Sequence, residues 1–210
     1  MTRDEMVGFI DNELLHQAKL EIRNWIWPNK ITGGYFVVSR QILCMVDFLG
    51  AVYSGYSLKE RKRDKSGKKI AGANKAKHFI TKFFKPRKIY NEDTVDKLYE
   101  MYRNGLVHLY QPKILKFGSK GTLKWALYRG KRFQPEISLG SDKGNITFHN
   151  ISHLQIVPNK LNKNNYLFIC VDRLYEDFEK AILDYRDKLY NTKSLQRKWR
   201  TAVNAICKPQ

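Results

Sequence analysis

Apolar residues near the start of the chain recur at the spacing of a single helix face. Phe9/Ile10, Leu14, Ala18, Ile22 and Trp25 fall between Asp4 and Trp27 and predict an amphipathic helix that stops before Pro28. Turn residues fill Asn29 to Gly34, and Tyr35 to Tyr53 is then nearly apolar apart from Arg40, Gln41 and Asp47. Its opening Phe36-Val37-Val38 is strand-like, but the run is too long for a strand, so a buried central helix is expected. A short helix is expected from Asn74 to Phe84, stopped by Pro86. A fourth is capped by Asn91 or Asp93-Thr94, opens on acids that complement its dipole, and carries Val95, Leu98, Tyr99, Tyr102, Leu106, Val107 and Leu109 toward Pro112.

Past Pro112 the period changes to two. The runs 114–117, 122–128, 146–148 and 154–157, separated by Gly, Asn, Asp and Ser, predict a three- or four-stranded antiparallel insert. Helical spacing returns from Tyr166 through Leu167, Phe168, Cys170, Leu174, Phe178, Ile182, Tyr185 and Leu189, and a last helix is expected over Ser194 to Ile206. The expected fold is mainly α, and α+β overall. Residues 1–110 and 166–210 form a helical bundle, and 111–165 form a small antiparallel β insertion within the same domain.

Composition adds a partner class. The 210 residues hold 39 Lys+Arg against 20 Asp+Glu, a net of +19, while 42% are hydrophobic, enough for a core and too many for a disordered polycation. Such an excess selects polyanions, and nucleic acid is preferred to a membrane because neither end carries a basic helix with a broad apolar face. The stretch Ile42 to Tyr53, about a dozen residues interrupted by Asp47, is shorter than the roughly 20 residues of a membrane span. Asp4 and Glu5 stand where a signal peptide is basic. Cys44, Cys170 and Cys207 are too scattered for a disulfide framework or a zinc clasp. A cytoplasmic protein without membrane association is expected.

The charge is concentrated. Lys59 to Lys88 contains thirteen Lys/Arg against Glu60 and Asp64, and Lys113 to Arg132 contains seven with no acid. From these blocks Arg61, Lys62, Arg63, Lys68, Lys69, Lys116, Lys124 and Arg129 are candidate phosphate contacts, and Trp125, interleaved with basic residues, is a candidate base-stacking side chain. A charge run is more often a solvated face, and a tryptophan more often packs in a core.

The candidate chemistry is Arg103-Asn104-Gly105-Leu106-Val107-His108 in the fourth helix. Arg and His five apart arise by accident roughly 0.3 times in a chain of this composition, and requiring Asn beside the Arg lowers that to about 0.02. On a helix Asn104 and His108 share a face, while Arg103 lies roughly 140° from His108. Gly105 costs roughly 1 kcal/mol relative to Ala in mid-helix and leaves room for a phosphate or a second backbone. Read without function, Arg103 and His108 are surface polar residues and Gly105 a packing notch.

This segment resembles the RNA-cleaving motif of the HEPN superfamily, helical domains whose active members carry Arg, a polar residue, several spacers and His near a helix end. The match is residue by residue at Arg103, Asn104 and His108. The order of helices is also similar over Arg3–Tyr110 and Tyr166–Leu189. The basic stretch Lys59–Ala73 and the strand-rich region between Tyr110 and Asn165 have no place in that pattern. The resemblance implies a HEPN-like bundle acting as a metal-independent endoribonuclease with no cofactor, its two motifs meeting across a homodimer. It is similar to toxins and antiphage defence effectors, which implies a neutralising antitoxin or other regulatory partner. His108 would exchange protons with the ribose 2′-OH and the leaving oxygen, Arg103 would hold the phosphate, and Asn104 would orient either. Two alternatives stay open: a non-catalytic RNA- or DNA-binding module, and a metal-dependent nuclease using Asp93, Asp96 or Glu100. His149 and His153 have a spacing that suits a metal on a helix but lie in strand-like sequence, so no metal site is assigned.

Overall fold

The chain begins with a capping box: the Thr2 hydroxyl accepts the Glu5 N–H at 3.2 Å, and the Thr2 N–H donates to the Glu5 carboxylate at 2.7 Å. Helix α1 (Arg3–Phe9) starts there and runs on as π-type turns through Ile10–His16 and Lys19–Ile26, with the Gln17 N–H reaching five residues back to the Asn12 carbonyl. Met6, Ile10, Leu14, Ala18 and Ile22 are all buried at a strict four-residue spacing. In an α-helix such a stripe drifts by about 40° per step, and wider turns carry it back, so the mixed helix keeps one face inward.

This computed structural model describes residues 1–26, 35–55, 72–103, 112–119, 121–141, 144–159, 162 and 164–206, with backbone alone at 24–26, 72–74, 103 and 141. The helices that follow are α2 (Tyr35–Ser54), α3 (Gly72–Phe83), α4 (Glu92–Leu98) with a π-type continuation Tyr99–Arg103, α5 (Val171–Asn191) and α6 (Lys193–Ile206). Asn91 caps α4 by accepting the Thr94 N–H at 3.0 Å. The strands are β1 (Leu115–Phe117), β2 (Gly121–Tyr128), β3 (Phe133–Ser141), β4 (Gly144–Ser152), β5 (Gln155–Pro158) and β6 (Asn164–Cys170). The class is α+β, mainly helical with a small mixed sheet.

The chain gathers into two compact units. The first holds Met1–Gly34, Gln41–Asp96 and Asp177–Gln210, and the second holds Tyr35–Arg40 and Lys97–Glu176. This division differs from a helical body interrupted only at 111–165, because Lys97 onward and the start of α5 belong with the sheet.

In the helical unit, α2 and α3 meet backbone to backbone: a Cβ on Gly50 would fall 2.6 to 2.7 Å from backbone atoms of Lys75 and Ala76. An aromatic core sits beside this contact. Trp199 lies edge-on to Phe9 and Phe48 and stacks with Tyr185, which in turn meets Tyr53, Phe79 and Phe83. Buried Asp177 accepts the Tyr90 O–H at 3.0 Å. Ion pairs Arg186–Asp11, Arg23–Glu179, Lys85–Asp184 and Lys77–Asp96 tie separate segments together at 2.6 to 3.3 Å.

Helix α2 is the one helix among the described residues long and apolar enough to cross a membrane, its 20 residues extending beyond the apolar stretch Ile42 to Tyr53 on which the expectation of no span was based. Its Ile42, Leu43, Val46, Leu49 and Val52 are sealed in the core of the helical unit.

The sheet unit corrects two expectations. Its main sheet has the order β1-β2-β6-β5 and is mixed, with β2 and β6 parallel from Thr122↔Asn164 to Tyr128↔Cys170. It is therefore not the antiparallel insert expected; β3 and β4 form a separate two-stranded antiparallel sheet. The helical spacing expected from Tyr166 is also wrong up to Cys170, since α5 begins at Val171. Leu167, Phe168, Ile169 and Cys170 are all fully buried, because β6 lies between two strands and is covered on both faces. Such a strand has no polar alternation to distinguish it from a buried helix. One face, Ala126, Tyr128, Phe168 and Cys170, packs on Phe148 and Ile151 of β4. On the other, Trp125 meets Phe36 edge-on at 4.9 Å.

Candidate nucleic-acid interface

The described structure reaches the motif only at its first residue. Tyr99, Met101 and Tyr102 are buried, so the segment Tyr99–Arg103 is anchored, and the Met101 carbonyl accepts the Lys113 N–H at 2.8 Å. The Tyr102 hydroxyl is buried and has no hydrogen-bond partner among the described residues, and burial pushes its pKa well above the ordinary value. The Arg103 side chain, Asn104 and His108 lie outside the described residues, as do Arg61, Lys62, Arg63, Lys68 and Lys69.

Strand alternation separates the expected stacking strand into two surfaces. Lys116 stands opposite Thr122 in register, so it shares a sheet face with Lys124. Trp125 points the other way, against Phe36. Lys116 and Lys124 are brought together, and Trp125 does not form a platform with them. Arg129 is engaged as well: its guanidinium donates twice to Asp172, at 3.1 and 3.3 Å, and the Gly130 N–H donates to the same carboxylate at 2.7 Å. This fork ties the end of β2 to the start of α5.

Next to that tie lies a polar cluster that sequence reasoning did not single out. His153 is 2% exposed, and its Nδ1 accepts the Cys170 N–H at 3.1 Å. Burial, with the Arg132 and Arg173 guanidiniums nearby, holds its pKa down to about 3. Burial raises the Cys170 thiol to about 11, where it stays protonated and donates to the Gly130 carbonyl at 3.4 Å. The Tyr128 hydroxyl donates to the Arg132 carbonyl at 2.8 Å. A neutral imidazole, a protonated thiol and a protonated phenol make this a structural network. His149 sits apart from it, exposed, with the Glu136 carboxylate 3.6 Å away. Among the described residues no three His, Cys, Asp or Glu side chains converge as a metal-binding set. Asp96 pairs with Lys77 at 2.8 Å.

Helix α6 carries the basic surface that block-counting along the sequence missed. Its fourteen residues include Lys193, Arg197, Lys198 and Arg200 and no acid. Trp199 and Ala202 are buried, while the four basic residues are exposed. Lys193, Ser194, Gln196, Arg197 and Arg200 line a groove of about 550 Å³. Lys198 reaches over Tyr53, with Nζ 5.6 Å from the ring centroid, and His78 stacks on the same tyrosine at 5.4 Å. The sequence signal was present in the spacing 193, 197, 200, which places three cations on one helix face.

Comparisons of the chain with models of known protein families, with curated proteins and with solved structures find no match.

Proposed function

We propose that this protein is a metal-independent endoribonuclease of HEPN type, acting in the cytoplasm as a homodimer in the manner of a toxin or antiphage effector. The observation that carries the reading is Arg103-Asn104-x3-His108, beginning where an anchored helical segment ends. The net charge of +19 supports a polyanionic substrate.

His is the side chain that titrates near neutral pH, so His108 suits removal of a 2′-OH proton or donation to the departing 5′-oxygen. A single imidazole serves one role at a time, and the His108 of a second copy supplies the other. The 2′-oxygen attacks phosphorus, the P–O5′ bond breaks, and the products are a 2′,3′-cyclic phosphate and a 5′-hydroxyl. The Arg103 guanidinium holds the phosphate and stabilises the charge gathering on its oxygens, and Asn104 orients His108 or the phosphate. A regulatory partner belongs to the same reading.

The test is RNA cleavage in EDTA by wild type and by His108→Ala. Cleavage by wild type alone, with cyclic-phosphate ends, is the expected result. Loss of cleavage in EDTA, or full activity of His108→Ala, overturns the reading. A second reading, a non-catalytic nucleic-acid-binding module, is favoured by one observation: the exposed basic face of α6 is complete without the motif. It requires wild type to bind RNA and cut none.

A further inference from the structure

We propose that the exposed face of α6 formed by Lys193, Arg197 and Arg200 is a docking surface for the phosphate backbone of RNA. It lies in the helical unit, whereas Arg103 ends a segment of the sheet unit. The inference rests on RNA being the ligand of the proposed function, and it assigns a grip on that ligand to residues the motif does not include.

Charge pairing is the first argument. Four basic side chains of the helical unit are neutralised by carboxylates: Arg186 by Asp11 and Asp187, Arg23 by Glu179, Lys77 by Asp96, Lys85 by Asp184. Among the described residues no carboxylate pairs with Lys193, Arg197, Lys198 or Arg200. Four cations on one short helix repel one another, and an external polyanion relieves that repulsion.

Spacing is the second argument. Positions four and seven apart lie about 6 and 10 Å along a helix axis, and the first of these approximates the distance between successive phosphates of a nucleic-acid strand. Arg197 and Arg200 can each fork onto phosphate oxygens, and Ser194 and Gln196 add neutral hydrogen-bonding groups to the same groove.

The surface is also rigid. Trp199 and Ala202 fix the opposite side of the helix, the Gln196 amide donates to the Leu189 and Tyr190 carbonyls at 3.0 Å each, and Arg200 Nε donates to the Met1 carbonyl at 2.9 Å. A membrane is the poorer occupant, because the apolar side of α6 faces the core and leaves no broad stripe to enter lipid.

The experiment measures binding of a 2′-O-methyl RNA oligonucleotide, which has no free 2′-OH to attack, by fluorescence anisotropy over a range of salt. Wild type is compared with Lys193→Gln/Arg197→Gln and with the control Lys82→Gln/Arg87→Gln, which removes two exposed charges elsewhere in the helical unit. Two lost phosphate contacts lower the slope of log K against log salt by about 1.5, whereas the control keeps the wild-type slope. Arg197→Gln alone lowers it by about 0.7, which guards against a double variant that fails to fold. An unchanged slope in the double variant, an equal loss in the control, a loss confined to a DNA oligonucleotide of the same length, or binding to anionic vesicles with none to RNA each overturns the proposal. An unchanged slope with RNA cleavage intact removes the α6 surface alone. Slope loss in the double variant, with a wild type that cuts no RNA, removes the nuclease and keeps the surface.

Discussion

His153 Nδ1 accepts the backbone N–H of Cys170 at 3.1 Å, so the imidazole enters the fold as an acceptor and is held neutral. Its pKa falls from 6.5 to about 3. Above pH 6.5 both folded and unfolded states carry it neutral, and stability is at its full value. As the pH drops below 6.5 the unfolded chain takes up a proton that the folded one refuses, so stability is lost progressively toward pH 3. Between pH 7.5 and 5 this amounts to about 2 kcal/mol. Urea unfolding of wild type and of His153→Gln checks it: the wild-type curve falls faster by that amount, and parallel curves refute it.

Arg129 and Asp172 define a second test. Asp172→Asn weakens the fork and the Gly130 contact and lowers stability by about 1 to 2 kcal/mol, read from the denaturant midpoint. Arg129→Gln destabilises similarly and leaves the salt slope for RNA binding at the wild-type value. A reduced slope would show the pair opening to release Arg129 onto phosphate.

Gly50→Ala places a Cβ inside the contact of α2 with the Lys75–Ala76 backbone. Neither backbone can yield without shifting a helix, so a loss of about 2 to 3 kcal/mol is expected, seen as a lower midpoint in thermal or urea unfolding. A neutral result would mean that the two helices have space to part.

Arg103→Gln lowers the RNA cleavage rate by roughly 10² to 10³ while RNA affinity, carried elsewhere, changes little. A 2′-deoxy nucleotide at the scissile position blocks cutting there, because the attacking oxygen is gone. Turnover that ignores the 2′ position would assign the chemistry to a different nucleophile.

The helices were legible where one face alone is buried. Tyr35–Ser54 and Gly72–Phe83 follow their apolar spacing within a residue or two, and Asn91 caps as its side chain predicts. Strand β6 was not, because burial on both faces erases its alternation. Strand β3 was hidden by Pro135, which suggests a break, yet Phe133, Ile137 and Leu139 keep a period of two. The ladder simply passes over Pro135, which has no N–H, opposite Asn150 at φ 57°. Of the expected contacts, Trp125 and Arg129 proved to be held by Phe36 and Asp172, which no count of neighbouring charges reveals. The α6 face escaped notice because its cations are spread by helical spacing over eight positions rather than clustered in a block.

The parallel pairing of β2 with β6 has a consequence for how the chain is made. Thr122 meets a partner 42 residues downstream, so a nascent chain that has emerged only as far as the β3–β4 hairpin carries β2 with its inner edge open. Leu123, buried in the finished protein, gains its neighbour Asn165 only once β6 has been made. Closure of this sheet therefore waits for β6, and until then the open edge of β2 is available for mispairing.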